Sequence, residues 1–183
     1  MFGSSYSIAL VLFAAVSVVL ALRSQFFSVK LTDQKWLSLV AKLESLDKDG
    51  VTTVALDFLS PQEGQIALEP SDIWNLVGGY TGLRKMRANA TVMLALAAFV
   101  QQWNFDEAVI VSERMRRDAL ALRRSIRHLE FSSVYMVFTR TISTSMPFDV
   151  HEAAASYHLM RQRLLALYKA NLSGMYPALA EAL

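Results

Sequence analysis

Imidazole can serve as base, acid or metal ligand near neutral pH, so His128, His151 and His158 have the widest chemical range in this chain. None has a serine or carboxylate at a spacing that predicts a catalytic triad. His151-Glu152 opens like an HExxH zinc helix, but the second histidine position falls on Ala155. His151 and His158 share a helix face, which supplies two ligands and no third. LDKDG has the look of a calcium loop. With Gly50 as its sixth residue, position one is Ser45 and position twelve is Leu56, so both required acidic ligands are missing. Gly79-Tyr80-Thr81-Gly82, ahead of Arg84 and Lys85, has the GxxG spacing of an RNA-backbone clamp. It lacks the strands of that module and the Gly-Lys-Ser/Thr ending of a phosphate loop. It is expected to be a glycine break between helices, at most a small anion site where helix amides meet Arg84. The chain has no cysteine, which excludes thiolate chemistry and disulfides. The sequence predicts no catalytic set, metal or cofactor.

The densest chemical signal is SERMRRDALALRRSIRHLE, residues 112–130, with six arginines. On a helical wheel Ala108, Val111, Met115, Ala119, Leu122, Ile126 and Leu129 fall on one face, which should pack on a core. Arg116, Arg123 and Arg127 form a column on one flank, with Arg117 and Arg124 beside it. Glu113 is placed to pair with Arg117, Glu130 with Arg127, and Arg114 stands four residues before Asp118. These five arginines are the expected contact for an acidic partner or an anionic ligand. The seven acids of residues 44–72 are the alternative, facing the arginines from within the chain. Past Glu130 the pattern turns: Phe131, Val134, Tyr135, Phe138 and Ile142 lie where the arginines were. A break at Ser132-Ser133 is predicted. An unbroken helix would instead leave Phe131, Tyr135 and Phe138 as an apolar contact patch.

These groups need elements to position them. Mean hydropathy is +0.31, and residues 1–22 carry no charged side chain. A run of that length just spans the roughly 30 Å hydrocarbon core. Residues 1–24 are predicted to be a retained single-pass membrane anchor. No basic residue precedes the run, while Arg23, Lys30, Lys35 and Lys42 follow it, which places the C-terminal side in the cytoplasm. Export after signal-peptide cleavage is the alternative, against the poor cleavage site in VLALRSQ.

Residues 25–183 read as an all-α bundle. Thr32 should cap a helix carrying Trp36, Leu39, Val40, Leu43 and Leu46, ended by Asp47-Lys48-Asp49-Gly50. A short helix over 51–59, a loop over 60–70 and another short helix capped by Ser71 or Asp72 follow. A helix over about 83–103 should be the central one, because residues 90–100 are apolar all round. Asn104 and Glu107 have capping-box spacing and open the arginine helix, making an antiparallel hairpin. Asp149 and Glu152 repeat that spacing before a helix over 150–172, ended by Gly174 in a left-handed cap. Residues 131–144 would also suit a strand. WNFDEA and the helix after it resemble part of a tetratricopeptide unit, but no copy follows about 34 residues on, and no family is assigned.

The readings of function are therefore three. The first is a membrane-anchored scaffold or accessory subunit that contacts a protein partner or itself. The second is peripheral binding of anionic lipid through the arginine face. The third is nucleic-acid binding. It is disfavoured by a net charge of only +2 and by the absence of aromatic residues within the arginine column.

Overall fold

The computed structural model describes residues 33–61, 66–102, 104–139 and 146–183, with the side chains of Asp33, of 133–139 and of Met146 outside the description. The predicted anchor, residues 1–24, lies outside these residues. Among the described residues, no helix is long and apolar enough to cross a membrane. The elements are α1 (Asp33–Val40), α2 (Lys48–Leu59), α3 (Pro70–Val77), α4 (Gly79–Val100), α5 (Phe105–Thr139), α6 (Met146–Asn171) and α7 (Tyr176–Ala182). The described chain is all-helical, with no strand; the strand alternative for 131–144 fails as far as Thr139.

Local chemistry explains where helices start and stop. Asp47 accepts from the backbone N–H groups of Asp49 and Gly50 at 3.2 and 3.0 Å, so it caps α2 and does not end α1. Gly50, predicted as a breaker, sits inside α2. A Cβ there would lie 2.5 Å from the Leu76 carbonyl oxygen, so the glycine lets α2 approach the end of α3. Gly78 and Gly79 take positive φ of 77° and 58°, and the turn between α3 and α4 is confined to them. The predicted glycine break thus shrinks to Gly78 between the helices, with Gly79, Tyr80, Thr81 and Gly82 already in α4. Gly174 does not take the predicted left-handed cap; positive φ occurs only at Gly78 and Gly79 among the described glycines.

The central helix is α6, which packs on α2, α3, α4, α5 and α7. Residues 153–158 of α6 are buried without interruption. The predicted central segment in α4 buries Ala90, Met93, Leu96 and Ala97 but exposes Thr91 and Ala98. The reason is size. Ala153, Ala154, Ala155 and Ser156 let neighbouring helices close in from several sides, which a hydrophobicity pattern does not register. Tyr168 ties three elements together at the core: its hydroxyl donates to the Leu96 carbonyl and accepts from Trp36 Nε1, each at 3.0 Å.

Candidate interaction surface

The arginine helix is α5, 35 residues and about 52 Å long. Its predicted inner face is in place: Ala108, Met115, Ala119, Leu122, Ile126 and Leu129 are buried, with Val111 half-buried. Asn104 accepts from the Glu107 backbone N–H at 3.4 Å and donates to the Glu107 side chain, and Asn171 at the end of α6 joins both. The hairpin partner α4 runs antiparallel. Gln101 meets Ser112, Thr91 meets Arg123, and Arg87 meets Glu130, so positions fall on one helix as they rise on the other.

The side of α5 toward α6 carries polar struts. Arg163 pairs with Asp118, Ser125 Oγ donates to Glu152 Oε2 at 2.7 Å, and His128 Nδ1 lies 2.6 Å from Asp149 Oδ2. Again the numbers run in opposite directions, as two antiparallel helices require. Asp118 therefore takes Arg163 across the interface, not Arg114 on its own helix. Asp149 is not an N-cap either: α6 starts earlier, at Met146, and frees the carboxylate for His128.

His151 points the other way, into α2. Its Nε2 is 3.0 Å from Asp57 Oδ2, its Nδ1 is 3.0 Å from the Pro147 carbonyl, and its ring stacks on Phe58. Burial pushes the Asp57 carboxyl up. The N–H of Ala67, the His151 hydrogen bond, the N–H of Leu68 and the His151 charge outweigh that and hold it below its ordinary value of 3.8. A cleft of about 320 Å³ opens beside Asp57, lined also by Thr53, Leu56, Ser60, Ala67 and Leu68.

These pairs were invisible to spacing, because 57 and 151, or 128 and 149, meet only in the fold. They look like catalytic dyads, yet both His151 nitrogens are occupied and the residue is 1% exposed. The one serine bonded in this row, Ser125, is tied to Glu152 and not to a histidine. Among the described residues no group of three or more His, Asp or Glu could hold a metal ion. Chemically the Arg163–Asp118, Ser125–Glu152 and His151–Asp57 pairs join helices, each partly or fully buried polar side chain meeting a complement, while His128 is 55% exposed beside Asp149.

No family model, curated protein or solved structure matches the chain.

The outward face of α5 holds the predicted contact residues. Arg116, Arg117, Arg123, Arg124 and Arg127 are all exposed. Arg116 and Arg117 share Glu113, at 3.1 and 3.6 Å. Arg123 donates to Thr91 Oγ1 at 3.1 Å, and Arg127 Nε donates to the Arg123 carbonyl. The acids of residues 44–72 have other uses where their bonds are seen: Asp47 caps α2 and Asp57 holds His151. Among the described residues, none of those acids makes an ion pair with the column. α5 does not break at Ser132-Ser133; it continues to Thr139. Phe131 is 74% exposed, while the side chains of Tyr135 and Phe138 lie outside the described ones.

Proposed function

We propose that the chain is a membrane-anchored helical scaffold or accessory subunit that works by protein contact, with residues 1–24 as anchor and the bundle on the cytoplasmic side. One observation carries this reading: α5 runs unbroken past Phe131, which therefore stays on an outer helix surface at 74% exposure. An exposed aromatic followed by more aromatics at helical spacing marks a surface that another chain covers. The cross-helix pairs Arg163–Asp118, Ser125–Glu152 and His151–Asp57 support it from the other side, because these side chains are engaged in joining helices.

The test is purification of the full-length chain in mild detergent, with partners or self-association read by mass. A stoichiometric complex that Phe131→Glu weakens by more than about tenfold, as expected for a buried aromatic anchor, supports the reading. A lone monomer, or a complex indifferent to Phe131→Glu, refutes it. Release of the intact chain from membranes by alkaline carbonate refutes the anchor. Lipid contact through the arginine face is a second reading, favoured by a specific pattern around Leu120.

A further inference from the structure

Leu120 is 54% exposed. Its helical neighbours three and four residues before and after are Arg117, Arg116, Arg123 and Arg124, all exposed. Side chains at those offsets surround a residue on a helix surface. A large apolar side chain thus stands in water inside a ring of four guanidinium groups. The row continues with Glu113 and exposed Val109 before it and with Arg127 and exposed Phe131 after it. Val109 to Phe131 spans about 33 Å of one continuous helix.

The fold gains little from this ring. Like charges at these spacings repel, and exposed ion pairs contribute only about 0–1 kcal/mol. Among the described residues Glu113 alone pairs with the ring, which keeps a net +3. The helix also uses one kind of cation: α5 has six arginines and no lysine. A guanidinium presents a planar fork that matches phosphate oxygens.

We infer that this ring is a membrane-docking surface for anionic phospholipid. The arginines engage headgroup phosphates, while Leu120 enters the acyl boundary between them. The charge pattern fits a layer that is anionic at its surface and apolar just beneath. An acidic protein would need both carboxylates and a socket for Leu120, where a bilayer needs neither to be preformed. The inference rests on the proposed anchor only for bringing the bundle to a bilayer.

The absence of cysteine makes Leu120→Cys a unique attachment point for an environment-sensitive fluorophore in the full chain. The labelled chain is incorporated into vesicles of phosphatidylcholine, with or without phosphatidylserine. The expected result is a blue shift and loss of aqueous quenching only with phosphatidylserine, reversed by salt. At about fivefold per arginine, glutamine at Arg116, Arg117, Arg123 and Arg124 should lower the docking equilibrium by several hundredfold. Lysine at the same four positions should retain most of the salt-sensitive shift, which separates loss of charge from loss of fold. Identical spectra in both lipids overturn the inference. So does a shift produced by inorganic phosphate without vesicles, or by a bound acidic protein and not by vesicles. Flotation with neutral vesicles tests the anchor separately. A chain that floats with them but shows no shift on anionic vesicles refutes docking and keeps the anchor. The reverse result keeps docking and refutes the anchor.

Discussion

Tyr168→Phe removes one oxygen from the middle of the bundle and nothing else. Tyr168 is 0% exposed and Trp36 is 4% exposed. Burial holds the Tyr168 phenol well above its ordinary range, with the Trp36 N–H opposing that, so the group is a neutral hydroxyl at any working pH. It accepts from Trp36 Nε1 and donates to the Leu96 carbonyl, each at 3.0 Å. In the variant, Leu96 still lies inside α4, where its carbonyl also serves the helix ladder. Among the described residues the indole N–H has no such second partner. A buried donor left without an acceptor costs about 1–3 kcal/mol. At about 2 kcal/mol, and with about 2–4 °C per kcal/mol for a chain of this size, Tm should fall by about 4–8 °C. Unfolding of the full chain in detergent, followed by circular dichroism and tryptophan fluorescence, measures it. Trp36→Phe in the same background removes the orphaned donor, so the double variant should recover about 1–2 kcal/mol relative to additivity. Strict additivity, or a Tyr168→Phe cost below about 0.5 kcal/mol, would show that the bond between α1 and α6 does not stabilise the bundle.

Two further outcomes follow from the same packing. His158 Nε2 accepts from Gln162 at 2.7 Å, while its Nδ1 is buried without a partner among the described residues. Burial and the nearby Arg161 charge hold His158 below its ordinary 6.5, so the unfolded chain protonates first. Its contribution is complete above pH 6.5 and is lost as pH falls through the lower folded value. His158→Leu should therefore flatten the decline in denaturant midpoint below pH 6.5, and an unchanged decline would rule the assignment out. Gly82→Ala would place a Cβ 1.7 Å from the Val77 carbonyl oxygen, a backbone contact that cannot yield cheaply, and should cost at least about 2 kcal/mol of unfolding free energy. Gly174→Ala meets nothing within 4 Å and should stay within about 0.5 kcal/mol, so equal costs would contradict the packing at Gly82.

Much of the bundle was legible because helix faces follow from a short repeat. The inner stripe of α5 is buried as its spacing implies, with Val111 half-buried. Helix ends were less legible. Asp47, Gly50 and Asp149 each have the composition of a boundary, but a residue that can cap or break a helix does so only where the backbone needs it. Gly50 is inside α2 because α3 passes close by, and Asp149 is inside α6 because His128 lies opposite. The aromatic stretch after Glu130 fitted either a break or an exposed patch, and nothing local decided between them.

Sequence alone determined that the described residues are helical, which side of α5 faces inward, and that its arginines lie outside, since these depend on neighbours three and four residues away. Only the tertiary structure decided that α6 is the central helix, that His151 and His128 are matched to Asp57 and Asp149, and that the acids seen in α2 do not neutralise the arginine column. Those outcomes depend on which helices touch. Contact between residues a hundred positions apart is set by the summed packing of small and large side chains, which no local spacing encodes.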